Sequence, residues 1–335
     1  MKEQAHTYPW QYLEQEQLLG LRLKDLKIEL ADTWIVEPIQ QLYTELGNKG
    51  INFRPHFWIS DEWFCPDGIA GIAIPFFILH PRLFKLEKQM MGTVDGKNEK
   101  DCMKILRHEC AHAFDNAYGP RRLKSRQELF GKASTPYPKS YAPNSKSKNY
   151  VRYLDDFYAQ SHPDEDWAET FATWLDPNSN WQQKYRNWQC IEKLNLVDRI
   201  VRPMGKELKQ LQKNNCRTLN QISNINITLN DYYKNKRKLH KLTRRPYFTQ
   251  ESKDFFTIRP TNTSAHHFIS NLEKDLRKKL KKTSYEVRPL IKEFKRSSKG
   301  LYVKKPTTKI KNDLLEILVS KSDNFYKKGF HRIIM

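Results

Sequence analysis

The segment ILRHECAHAFDNAY, residues 105–118, places two histidines four positions apart with a glutamate beside the first. Ile105, Leu106, Ala113, Phe114 and Ala117 recur at helical spacing, and Gly119-Pro120 supplies a stop, so the pattern predicts a helix over 99–118 with the histidine pair inside it. Residues four apart share one face of an α-helix, so the imidazoles of His108 and His112 can converge on one ion while Glu109 projects beside them. An H-E-x-x-H match arises by chance in a chain of this length on the order of one or two times in a hundred. Two surface histidines on an amphipathic helix would read the same way. Deciding between the two requires a third ligand, because zinc used catalytically takes three protein ligands and leaves a fourth position for water.

A second stretch, YAQSHPDEDWAETFATWL at residues 158–175, offers candidates. Ser161-His162-Pro163 resembles a helix start, since proline suits the first helical position and Asp164, Glu165 and Asp166 favour the positive end of the helix dipole. EDWAE then sets Glu165 and Glu169 four apart, with Trp167 and Ala168 free to face the core. One of these acids can bind metal while the other accepts a hydrogen bond from a ligand histidine. Asp164 and Asp166 are read as complements of the dipole, and His162 as a helix cap rather than a ligand.

Taken together, LRHECAHAFDNAY and YAQSHPDEDWAETFATWL resemble the bacterial zinc-binding metallopeptidases with an HExxH…HPxEDWAE signature, a gluzincin-like arrangement. The resemblance spans roughly residues 55–200, including PDGIAGIAIPFFILHPRL upstream and KLNLVDRIV downstream. It implies an α+β, zincin-like fold and a peptidase acting on a peptide or protein substrate with Zn2+ as cofactor. It implies His108, His112 and Glu165 as the metal ligands, Glu169 as the residue orienting a ligand histidine, and Glu109 as general base towards a zinc-activated water. Tyr158 stands seven residues before Glu165, where several gluzincins, anthrax lethal-factor-like peptidases among them, carry a tyrosine that supports the transition state. The apolar run GIAGIAIPFF corresponds to the edge strand that aligns substrate in such folds.

Working outward, residues 10–48 carry Leu19, Leu23, Leu26, Leu30, Ile35, Ile39, Leu42 and Leu46 at helical spacing, predicting two helices. FRPHFWIS and GIAGIAIPFF, separated by Pro66-Asp67-Gly68, predict a small sheet. Residues 121–150, with ASTPYPKSYAPNSKSKN at their centre, read as a long loop, either a lid or binding element or a disordered insertion. No internal repeat is evident.

The net charge of +21 is lopsided: residues 206–335 hold 32 Lys+Arg and 11 Asp+Glu, so the first 205 residues are neutral. This divides the chain into a metallopeptidase-like domain over 1–205 and a basic, mainly helical region over 206–335. KNKRKLHKLTRR and LRKKLKK in that region suggest weak polyanion or nucleic-acid contact, although lysine runs are also ordinary solvated helix faces. The five cysteines are scattered without a C-x-x-C pair, which argues against a disulfide framework and for a reducing cytoplasm. The opening MKEQAHTYPWQYLEQEQ is polar and charged, so no export signal is expected, and the most apolar run, GIAGIAIPFFILH, falls short of the roughly 20 residues of a membrane span. The alternatives are a non-peptidase zinc amidohydrolase, or a binding protein with a structural zinc site whose basic region contacts nucleic acid.

Overall fold

The computed structural model describes residues 7–144, 146–206, 218–240, 247–282, 284–327 and 333–334. The architecture is mixed α/β and mostly helical, with small two-stranded sheets. Two compact units are formed, Met1–Pro138 with Ser147–Leu242, and Lys139–Lys146 with Thr243–Met335.

The first unit opens with α1 (Gln15–Gly20), single 3-10 turns at Leu23–Leu26 and Leu30–Asp32, and α2 (Val36–Asn48). Only the second of the two helices predicted over 10–48 is therefore continuous. The Leu23 and Lys24 amides pair instead with the carbonyls of Ile227 and Ile225, a long-range contact that local spacing does not encode. β1 (His56–Ser60) and β2 (Gly71–Pro75) follow and pair in parallel, His56 opposite Gly71 and Ser60 opposite Pro75. The turn at Pro66-Asp67-Gly68 thus lies in a crossover rather than in a hairpin.

After α3 (Pro81–Met91) comes α4 (Glu99–Tyr118), with the bounds the periodicity predicts. Its start is fixed by Asn98, whose side chain accepts the Asp101 N–H at 2.9 Å, with Glu99 and Asp101 complementing the dipole. Its end is fixed by Gly119 at φ +74°, whose N–H returns to the Asp115 carbonyl. α5 (Lys124–Phe130) occupies the first part of the stretch read as loop; it is short, and what holds it is burial of Arg126 and Phe130. α6 (Pro163–Leu175) starts at Pro163 with His162 as its N-cap, followed by α7 (Trp181–Tyr185), α8 (Cys190–Lys206) and α9 (Leu229–Leu239).

α4 packs most extensively against α6, with Phe114 of α4 against Phe171 of α6 at 5.6 Å between ring centroids. α6 is buried along its length, Trp167 and Trp174 completely. Arg107, one residue before the first histidine, is buried too. Its Nε and Nη2 donate to the two Glu45 oxygens, both at 2.7 Å, its Nη1 donates to the Tyr153 hydroxyl at 3.0 Å, and Asp176 stands 3.3 Å away. This clamp ties α4 to α2 and to the end of α6. Truncation in Arg107→Ala would leave Glu45 buried without its partner, so stability should fall by about 3–5 kcal/mol. Denaturant unfolding checks this; a loss under about 1 kcal/mol would show that the pair carries little.

α9 holds part of the basic run KNKRKLHKLTRR, yet it packs on α1 and α3. Lys236 is buried, 2.9 Å from Glu87 and 3.0 Å from the Tyr232 hydroxyl, with its ammonium over the Phe77 ring. It is an interior ion-pair partner rather than a solvated cation. The KLTRR end of that run, at 241–245, lies outside the described residues, as does Cys216. Cys65, Cys102, Cys110 and Cys190 are free thiols.

The second unit contains β3 (Ser140–Tyr141), α10 (Thr249–Phe255), β4 (Phe256–Thr257), α11 (Ala265–Ser270), α12 (Glu273–Leu280), α13 (Ser284–Ser297), β5 (Tyr302–Val303), α14 (Thr308–Lys327) and β6 (Ile333–Ile334). β3 pairs antiparallel with β6, and β4 with β5. A separate core forms around Phe248, Leu276, Leu290, Phe294, Leu318 and Phe325. The LRKKLKK stretch turns Leu276 inward while Arg277, Lys278 and Lys279 are exposed, the pattern of a solvated helix face. Among the described residues no helix is long and apolar enough to cross a membrane.

Candidate metal centre

Because α4 and α6 pack along their lengths, the mid-helix face of α4 meets the first turns of α6. His108 and His112 are brought against Glu165, and the three residues offer ligand atoms within 4.8 Å of one another. The contacts are tighter than that bound. His108 Nε2 lies 3.0 Å from Glu165 Oε2, His112 Nε2 lies 3.4 Å from the same oxygen, and the two Nε2 atoms are 3.2 Å apart.

This triangle passes a test for zinc. Bonds of about 2.0–2.1 Å at tetrahedral angles separate neighbouring ligand atoms by roughly 3.3 Å, close to all three edges. Glu165 Oε2 is moreover buried without a directed hydrogen bond, an orphan state that proteins avoid unless another partner belongs there. Among the described residues three donors converge, which leaves the fourth tetrahedral position open.

The atoms behind the triangle are fixed as a ligand set requires. His108 Nδ1 donates to Glu169 Oε1 at 3.0 Å, which turns the Nε2 lone pair towards Glu165 and His112. Glu169 Oε2 in turn accepts the Leu154 N–H at 2.8 Å. EDWAE thus divides its labour: Glu165 points into the triangle and Glu169 stands behind the histidine.

Burial opposes charge on His108, but the carboxylates of Glu165 and Glu169 beside it outweigh burial and raise its pKa well above the ordinary imidazole range. His112 is also raised, with burial opposed chiefly by the charge of Glu165. Glu165 is held well below the usual carboxylate range: burial pushes it up, and the charge of His112 and the close approach of both imidazoles pull it down further. Glu109 behaves oppositely. Burial pushes its carboxyl up against the charges of His108 and His112, and among the described residues no hydrogen-bond donor is directed at it. A carboxylate of raised basicity beside a ligand triangle is suited to accepting a proton.

Tyr158 reaches the same place by an unusual route. The backbone passes through Asp156 at φ +62° and Phe157 at φ +53°, a left-handed pair rare for a bulky residue, and brings the Tyr158 ring to 5.6 Å from the His108 ring. His162 stays outside the triangle. Its Nδ1 accepts the Asp164 N–H at 3.1 Å and its Nε2 donates to the Thr135 carbonyl at 2.6 Å, so it acts as a cap. Asp164 and Asp166 lie in the first turn of α6, but they do more than complement its dipole. Both are buried, Asp164 paired with Arg126 at 2.9 Å and Asp166 with Lys193.

Tyr137 also belongs to the site, without a motif to mark it. Its hydroxyl donates to Glu165 Oε1 at 2.8 Å and its ring stacks on His162 at 3.7 Å between centroids. Nothing in the loop composition signals this contact, which links residues 28 apart. β2 also departs from the picture of a free edge: it is wholly buried, β1 pairs along one side, and at Ala73 the other side bonds to the Phe64 carbonyl at 2.9 Å.

Residues 99–235 match the family model described as "Putative zinc-binding metallo-peptidase". The matched region begins with the first residue of α4 and contains α6, and with them the whole histidine–glutamate triangle. It omits the upstream sheet on which the resemblance also drew, and it extends past Met204 into α9. No curated protein matches the chain, and no solved structure matches it.

Proposed function

We propose that the chain is a zinc-dependent peptidase of the gluzincin type, on a zincin-like fold within the first 205 residues, in which His108, His112 and Glu165 hold the metal. The observation that carries this reading is the triangle of two Nε2 atoms and one carboxylate oxygen, with edges of 3.0–3.4 Å and Glu109 beside it. A structural zinc site closes itself with four protein ligands, whereas a catalytic one keeps a position open, and three donors favour the second. Zinc supplies Lewis acidity at such a site, bringing the ionisation of water to near pH 7 and polarising a carbonyl.

The chain's own residues supply the rest. Glu109 accepts the proton of the attacking water and delivers it to the leaving amine. Tyr158, beside His108, donates a hydrogen bond to the oxyanion that develops on the substrate carbonyl. Glu169 holds the His108 ring in the tautomer that presents Nε2. The match to a metallopeptidase family over 99–235 supports a peptide bond as the target.

Hydrolysis of a diverse peptide library, measured with the protein zinc-loaded and again after chelation, tests the proposal. Cleavage that is lost with the metal and restored by zinc is expected; a stoichiometrically loaded protein that cleaves no peptide would overturn it. In a cleaving preparation, Tyr158→Phe should lower kcat by about 10²–10³-fold with little change in KM, the effect of removing one oxyanion donor. An unchanged kcat would remove Tyr158 from the reaction.

A further inference from the structure

Carboxylates bind metals through one oxygen or through both, and the two oxygens of Glu165 have different neighbours. Glu165 Oε2 faces the two imidazoles, while Oε1 accepts the Tyr137 hydroxyl at 2.8 Å. Tyr137 belongs to no helix or strand, yet it is built in. Its ring lies on the His162 ring at 3.7 Å and 13°. The His162 ring is in turn held at both nitrogens, by the Asp164 N–H and by the Thr135 carbonyl, two residues before Tyr137. Thr135 closes its own turn, its amide and hydroxyl both bonding to the Lys132 carbonyl. The segment leaves α5 through Gly131 at φ +95°, where a Cβ would stand 3.1 Å from the Pro163 ring. Residues 131–137 are thus pinned at several points to the start of the same helix that presents Glu165.

We infer that Tyr137, seated on the His162 ring, is a positioning residue that holds Glu165 as a one-oxygen metal ligand and so keeps the fourth coordination position open. The inference rests on the metal-binding reading of His108, His112 and Glu165. Tyr137 is not required to touch substrate. By occupying Oε1 it keeps that oxygen from swinging onto the ion, and it orients Oε2 at the meeting point of the two Nε2 atoms. The half-exposed position of the phenol makes removal of its hydroxyl tolerable to the fold.

The test compares full-length wild type, Tyr137→Phe and His162→Asn, each with a far-UV circular dichroism spectrum to establish folding. Asparagine retains a capping side chain but loses the aromatic seat. Zinc affinity is read by competition with a chromophoric chelator, and coordination number by the visible absorption of the Co(II)-substituted protein. Tyr137→Phe should weaken zinc binding by about 10-fold or more, the usual scale for losing a residue that supports a ligand. Its Co(II) absorption should weaken as the second carboxylate oxygen joins the ion, and His162→Asn should shift the spectrum in the same direction. Neither change is expected of a residue that only packs. A folded Tyr137→Phe protein with wild-type zinc affinity and an unchanged Co(II) spectrum would overturn the inference while leaving the metal site standing. A His162→Asn protein with a wild-type spectrum would overturn the aromatic seat. Wild-type protein that binds neither zinc nor cobalt would overturn the metal site and this inference together.

Discussion

Glu109→Gln should leave zinc binding intact and lower kcat/KM for peptide hydrolysis by about 10²–10⁴-fold, the range that general acid–base catalysis contributes. Glutamine keeps the volume and the hydrogen-bonding reach of glutamate but cannot accept the proton. The substitution should be mild for the fold, because no donor among the described residues depends on this carboxylate. Removing it also removes a negative charge that burial disfavours. Metal content measured alongside turnover separates this outcome from loss of the site. A loaded Glu109→Gln protein that retained wild-type turnover would show that another group takes the proton, whereas loss of zinc in that variant would place Glu109 among the ligands.

His112→Ala and Glu165→Gln should each reduce zinc from about one per chain to little or none, because each deletes one corner of a three-cornered site that has no spare protein ligand among the described residues. Glu169→Gln should behave differently. Its amide oxygen can still accept from His108 Nδ1, so affinity and activity should fall only about 10–100-fold. The contrast matters because Glu165 and Glu169 look alike in EDWAE, four apart on one face of α6. Elemental analysis of the three purified variants separates them. Emptying of the site by Glu169→Gln, with retention by Glu165→Gln, would exchange their roles.

The features that could be read from sequence are those whose causes are local. α4 announces itself through its apolar spacing and its glycine stop, and α6 through Pro163, the acidic first turn and the aromatic face behind it. The histidine pair needs only the helix to be placed, so its geometry follows from four-residue spacing alone. What could not be read is what distant residues settle. The parallel pairing of β1 and β2 depends on the path of residues 61–70 rather than on the strands' own composition. α1 stops short because Leu23 and Lys24 find backbone partners some 200 positions away. Lys236 reads as one more cation in a basic run, and only the packing of α9 reveals Glu87 beneath it. Tyr137 sits in proline- and serine-rich sequence, which signals irregular backbone and says nothing about where a phenol comes to rest. Asp164 and Asp166 are an intermediate case: their place in the first turn was legible, while their partners Arg126 and Lys193 lie on helices whose packing no local pattern specifies.

A zinc ion seated between α4 and α6 would be located by anomalous diffraction from crystals, recorded on both sides of the zinc absorption edge. One edge-dependent peak is expected about 2.0–2.2 Å from His108 Nε2, His112 Nε2 and Glu165 Oε2, with Glu169 beyond bonding distance. A zinc-equilibrated crystal with no peak at that triangle, or with its peak on other residues, would contradict this placement.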